Sequence, residues 1–182
     1  MKEPSLPSSS FEELALPLLD RLFNFACWLT QDRDQAEDLL QESLSKALKG
    51  FSTFQPGTNF RAWIYRIVRN TFFTSRTGLK TAATQPLEEA EAELLATAST
   101  PESILLHRLD QQSLWAALEQ LPLPFREILL LREVEEMSYQ EISSTLALPM
   151  GTVMSRLARA RKALRQRLEM EERSQYGLPS GR

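Results

Sequence analysis

The sequence predicts an all-α protein built as two small helical domains joined by a flexible linker. Three observations carry that prediction. Apolar residues recur at spacings of three and four from Leu14 to Leu168, and nowhere do they alternate as they would in a strand. Between Gly78 and Thr100 the stretch GLKTAATQPLEEAEAELLATAST holds no aromatic residue and is rich in Ala, Thr and Glu, a composition that solvates better than it packs. On either side of it lies a separate cationic segment. Residues 11–77 and 101–172 are therefore the expected domains, with 78–100 as the linker.

The elements follow in chain order. MKEPSLPSSS is rich in Ser and Pro and reads as a loose tail. Leu14, Leu18, Leu22, Phe25, Ala26 and Leu29 form a helical stripe in which Pro17 either kinks the helix or starts a new one. The next helix can be capped by Asp32 or Asp34, and Gly50 stands where a left-handed C-terminal cap is expected after Leu48 and Lys49. FSTFQPGT is a loop by its Pro-Gly pair, although it carries Phe51 and Phe54. Asn59 is placed to cap a helix whose stripe is Phe60, Trp63, Ile64, Ile67, Val68 and Thr71, which makes Trp63 a core residue.

Beyond the linker, Thr100-Pro101-Glu102 opens a helix with Leu105, Leu109, Leu114, Leu118 and Leu121 on its apolar side, ending at the Pro122/Pro124 break. A helix-turn-helix comes after it. Ser138 and Glu141 match a capping box, Tyr139, Ile142 and Leu146 form a short stripe, and Leu148-Pro149 make the turn. In the second helix, of about 17 residues, Val153, Leu157, Ala160, Leu164 and Leu168 share one side, while Ser155, Arg159, Lys162 and Gln166 lie opposite, free to enter a major groove.

The formal net charge of −3 speaks against nucleic acid as a partner until the charges are placed. Arg61, Arg66, Arg69, Arg76 and Lys80 occupy 61–80 without an acid among them; Arg156, Arg159, Arg161, Lys162, Arg165 and Arg167 do the same in 151–168. The compensating acids sit in Asp32 to Glu42 and in Glu88, Glu89, Glu91 and Glu93. Such segregation predicts one surface for nucleic acid and a different one for another partner.

Several function classes are excluded. A single cysteine, Cys27, and a single histidine, His107, provide neither an internal disulfide nor a Cys/His metal cluster, and both read as structural or incidental. With no glycine-rich phosphate loop either, the chain offers no enzyme site, metal or cofactor fingerprint. No apolar run approaches the roughly 18 residues of a membrane span, and the N-terminus lacks the apolar core of a signal peptide. A cytoplasmic protein without membrane insertion is expected.

The run SYQEISSTLALPMGTVMSRLARARKAL closely resembles region 4 of the extracytoplasmic-function (group IV) sigma factors of the sigma-70 family. DQAEDLLQE and FQPGTNFRAWIYRIVRNTFF resemble the polymerase-docking and promoter-melting parts of region 2. The likeness covers residues 11–77 and 101–170, and the shortness of the linker is what implies group IV. It implies an alternative sigma factor: a subunit that binds the β′ clamp and β flap of RNA polymerase core, acts as a monomer there, and directs initiation at promoter DNA. A restraining anti-sigma factor is a further implication, and the PGTN form of the loop resembles that of subgroups answering to redox or general stress.

Carried over residue by residue, the resemblance assigns polymerase docking to Asp34, Glu37, Asp38, Gln41 and Glu42. It assigns contact with the −10 element, as splayed single strand, to Phe54, Asn59, Arg61, Tyr65, Arg66, Arg69 and Asn70, with Phe54 and Asn70 lining the pocket for an extruded base. Contact with the −35 element goes to Ser155, Arg156 and Arg159, with Arg161 and Lys162 near the phosphates. Met154, where the family usually has Lys or Arg, and Ala158, where it often has His or an aromatic, depart from the pattern. The competing reading of the same helix-turn-helix is a free-standing regulator that binds duplex operators as a dimer, but such a protein has no use for the acidic 34–42 face or a strand-opening segment.

Overall fold

The computed structural model describes residues 10–77 and 111–175, apart from the side chains of 77, 111–113 and 171–175. The N-terminal tail, the linker, the helix start at Thr100-Pro101-Glu102, His107 and the last residues lie outside the described part. Every regular element described is helical. In order they are α1 (Phe11–Ala15), a 3-10 turn (Leu16–Leu18), α2 (Leu19–Thr30), α3 (Arg33–Gly50), a second 3-10 turn (Phe51–Thr53), α4 (Phe60–Thr77), α5 (Gln111–Glu119), α6 (Leu123–Leu129) with a π turn (Leu130–Val134), α7 (Tyr139–Leu146) and α8 (Met150–Gln175). Of the described residues, 10–77 and 140–147 fall in one compact unit, and 111–139 and 148–175 in the other.

In the first unit α2, α3 and α4 pack on one another. Ser10 and Glu13 cap α1 reciprocally, and Pro17 sits in the 3-10 turn, where its missing N–H and fixed φ break the line between α1 and α2. The joint from α2 to α3 is two residues long. Gln31 turns left-handed at φ 58° and donates its N–H to the Cys27 carbonyl at 2.8 Å, then Asp32 Oδ1 accepts the Gln35 N–H at 2.9 Å, making Asp32 the cap of α3. The Thr30 hydroxyl braces the joint, 2.9 Å from the Ala26 carbonyl and 2.8 Å from that of Asp32.

Gly50 departs from its expected role as a left-handed cap. Its φ is −86° and the chain continues right-handed through it, because the next turn must carry Phe51 inward. There Phe51, Phe54, Phe60 and Trp63 form a cluster with ring centroids 5.2–6.4 Å apart, and Phe11 joins by its edge at 5.5 Å from Phe51. Each such pair adds about 0.5–1.5 kcal/mol to the burial itself. The positive φ falls instead at Gly57 (88°), in the Pro-Gly turn. Cys27 is half-buried, and burial pushes its thiol above the ordinary cysteine value, outweighing the pull of Arg33.

In the second unit α5 and α6 pack against α8, which runs for 26 residues, well beyond the length expected from the apolar stripe alone. Val153, Leu157, Ala160 and Leu168 are buried as expected, and Leu164 is half-buried. The end of α5 is closed by a side chain from the next helix. Arg126, buried, donates to the carbonyls of Leu118 (3.1 Å) and Glu119 (2.6 Å) in the last turn of α5, where intrahelical partners run out, and to that of Leu121 (3.2 Å) just beyond it; the Leu118 carbonyl also accepts the Leu121 N–H at 3.1 Å. After α6 the chain widens into a π turn, with Glu135 N–H to Leu130 C=O at 2.9 Å, and reverses at Glu136 (φ 53°). Ala147 takes the same left-handed conformation (φ 53°) at the turn before α8.

Replacing Arg126 by Met, similar in length but unable to donate, removes these three hydrogen bonds from the end of α5. The expected loss is about 2–3 kcal/mol in unfolding free energy, read as a lower urea midpoint at unchanged slope; an unchanged midpoint would remove Arg126 from the helix-closing role.

Candidate nucleic-acid interface

The α3 face comes first. Ala36, Leu39, Ser43 and Ala47 point inward, so at about 100° per residue Asp34, Glu37, Asp38, Gln41 and Glu42 are left on the outer side, and all five are exposed. Between this side and the end of α4 runs a groove of about 300 Å3, lined by Gln35, Asp38 and Glu42 from α3 and by Phe72, Ser75 and Arg76 from α4. Glu42 pairs with Lys46 at 2.6 Å and Glu37 more loosely with Arg33 at 3.8 Å; both are exposed pairs that contribute little to stability. The acids are thus presented to solvent rather than consumed inside the fold.

On α4 the buried arc is wider than the predicted stripe. Phe60, Ile64, Val68 and Thr71 are inside as expected, but so are Tyr65 and Phe72, while Trp63 and Ile67 are half-buried. Tyr65 is therefore a correction: it is 0% exposed, its ring 5.1 Å from that of Phe25, and it belongs to the core instead of the nucleic-acid face. Arg66 and Asn70 are exposed. Arg61 and Arg69 are half-buried, their guanidinium groups 5.9 Å from the Tyr65 ring and 4.8 Å from the Phe73 ring, so each cation is carried on an aromatic base. Arg76 lies likewise over Phe72 at 4.8 Å.

Phe54 is half-buried in the aromatic cluster, stacked on Phe51 with rings 10° from parallel. Asn59 is exposed and caps α4 as expected, its Oδ1 accepting from the Ala62 N–H at 3.0 Å. Its amide also donates to Glu141 Oε1 at 2.8 Å, within the same compact unit.

On α8 the outer side carries Ser155, exposed, with Arg159 and Lys162 half-buried. Arg159 folds back on the helix, with Nε 3.3 Å from the Ser155 carbonyl and Nη2 3.3 Å from its hydroxyl. Arg156 is the second correction. Only 5% of it is exposed, since its position falls on the packed side of α8 and not on the outer face with Ser155 and Arg159. Arg161 is bound to Glu133, with Nε and Nη2 3.0 and 2.7 Å from Oε1; burial works against its charge, but Glu133 and Tyr139 together outweigh burial and raise the guanidinium pKa. Nothing in the sequence marks Glu133 for that pairing, because the two residues are far apart along the chain and no local periodicity links them. The groove contributions of Gln35 and Ser75 were equally invisible, since they depend on how α3 and α4 face each other.

Comparison with known proteins gives a consistent set of likenesses. Residues 14–80 match the family described as Sigma-70 region 2, and residues 111–164 the one described as Sigma-70, region 4. The chain is 35% identical over 159 residues to the ECF RNA polymerase sigma factor SigE of Mycolicibacterium smegmatis, covering 87% of this chain and 62% of that protein. It is 31% identical over 170 residues to the ECF RNA polymerase sigma factor EcfG of Rhodopseudomonas palustris, covering 93% of this chain and 91% of that one. Among solved structures, the sigma factor RpoE in complex with the anti-sigma factor NepR from Bartonella quintana superposes with a TM-score of 0.67 at 28% identity, over 87% of this chain and 96% of that one.

The burial of Tyr65 has a direct consequence. Tyr65→Ala should lower unfolding free energy by about 3–5 kcal/mol, the usual cost of emptying an aromatic core position, whereas Arg66→Ala should leave it within about 0.5 kcal/mol. Equal thermal melts for the two variants would return Tyr65 to the surface.

Proposed function

The chain belongs to the extracytoplasmic-function sigma factors of the sigma-70 family, and from that premise we propose how this particular molecule divides the work of directing transcription. The outer side of α3, with Asp34, Glu37, Asp38, Gln41 and Glu42, docks on the β′ clamp of RNA polymerase core. Arg61, Arg66, Arg69 and Asn70 on α4, with Asn59 at its start and Phe54 in the preceding loop, meet the −10 element once its strands are apart. Ser155, Arg159 and Lys162 on α8 read and hold the −35 duplex, while Arg161, oriented by Glu133, lies near the phosphates at the edge of that contact.

The observation that carries this division is the separation of charge by surface. Exposed carboxylates crowd one side of α3, whereas 61–76 and 151–168 contain no acid at all. A basic partner and an acidic one can then be bound at once without competing. The protein so read is a binding factor and not an enzyme; it works in the cytoplasm, as a monomer on the polymerase, with each domain raising the effective concentration of the other at the promoter. As its relative RpoE is held by NepR, this chain is proposed to have a restraining anti-sigma partner.

Run-off transcription with core polymerase on a promoter library tests the reading as a whole: specific transcripts with distinct −35 and −10 elements are expected, and failure to associate with core would favour a free-standing operator-binding regulator. Asp38→Arg should abolish co-elution with core while leaving circular dichroism unchanged. Arg159→Ala should weaken −35-dependent transcription by about tenfold, the effect of one good base contact, with core binding intact; an equal fall in core binding would undo the division of labour.

A further inference from the structure

On α8 the side that faces solvent in the first turns is not uniformly polar. Met150 (38% exposed), Met154 (50% exposed) and Ala158, also exposed, follow one another at i, i+4 and i+8, forming an apolar line along the helix. Ser155, Arg159 and Lys162 form the parallel polar line beside it. The hydrogen bonds of Arg159 to Ser155 draw its guanidinium along that polar line. Arg161, the cation that would otherwise extend the apolar line, is held by Glu133. A Cβ added at Gly151, between the lines, would meet nothing within 4 Å among the described residues.

We propose that Met154, with Ala158 beside it, sets promoter preference by packing against the 5-methyl group of a thymine in the −35 element. This rests on the proposed binding of duplex DNA by α8. The occupant is fixed by charge: the apolar line lies at the N-terminal end of a helix that carries cations and no acid from 151 to 168, the arrangement that seats a recognition helix against phosphates with its first turns at the base edges. A thioether offers no strong donor or acceptor. Against guanine, adenine or cytosine it would strip water from polar groups without replacing the hydrogen bonds, whereas thymine alone presents a methyl group in the major groove. The helix thereby reads two chemistries side by side, a methyl through Met154 and Ala158 and acceptors through Ser155 and Arg159.

Deoxyuridine in place of thymine deletes only that methyl, which makes the test specific. The full chain with core polymerase is assayed on its selected promoter, with each −35 thymine replaced singly by deoxyuridine, for the natural protein, Met154→Ala and Met154→Leu. One substituted position should lower transcription by the natural protein about fourfold, the effect of one buried methyl. Met154→Leu should keep that sensitivity, and Met154→Ala should lose most of it. The proposal is overturned if deoxyuridine is silent at every −35 position, if the selected element contains no thymine, if Met154→Ala retains the full sensitivity, or if that variant instead loses association with core. Transcription indifferent to all −35 changes would instead overturn the reading of α8 as the duplex-binding helix, a result distinguishable from loss of the methyl contact alone.

Discussion

The rotation of α4 about its own axis is the constraint on which the rest of the first unit depends. Phe60, Ile64, Tyr65, Val68, Thr71 and Phe72 are all buried, so the helix has one orientation in which its apolar arc is satisfied against α2 and α3. Burying side chains of this size contributes about 1.5–3 kcal/mol each, far more than any surface charge could return by turning the helix another way. Once that orientation is set, Arg66 and Asn70 have no choice but to face outward. Phe73 and Phe72, at the margins of the arc, then become the supports over which Arg69 and Arg76 lie. The cationic surface is in this sense a by-product of the core.

The second unit reaches the same end by different means. Its longest helix, α8, has a buried side that includes small residues, Ala160 and Ala163, which let α5 and α6 come close. The helix preceding the Pro122 break is closed by a guanidinium reaching back from α6 rather than by a glycine. A planar group with five donors can satisfy several carbonyls at once, which a lysine in the same place could not match in geometry.

The order of the described elements, some of their caps and the centre of the face each one buries were legible because they follow from periodicity and from local hydrogen-bond chemistry. Asp32 and Asn59 are examples: both cap helices where the sequence places them. What escaped is whatever depends on the neighbours of an element. Tyr65 and Arg156 each lie within about 60° of an arc boundary, so their burial is decided by how far the adjoining helices wrap around, a quantity no single-helix projection contains. Gly50 carried the signal of a left-handed cap, but the demand that Phe51 enter the aromatic cluster overrode it. The Arg161–Glu133 pair and the carbonyl contacts of Arg126 are tertiary in the same way. Of the candidate site, the exposed acids of α3 and the outer line of α8 were thus readable, whereas the groove beside Asp38 and the anchoring of individual cations were not.

The two-residue joint between α2 and α3 leaves no slack. Gln31 supplies the reversal, Asp32 the cap, and the Thr30 hydroxyl ties Asp32 to the turn before it, as the Gln31 N–H ties Gln31 to Cys27. One extra residue inserted there would index α3 forward by about 100°, bringing Asp38 to the bearing now held by Leu39 and Glu42 to that of Ser43. The length of the elbow works like the tooth count of a gear: two residues are what let the buried side of the next helix and its acidic side both keep their bearings.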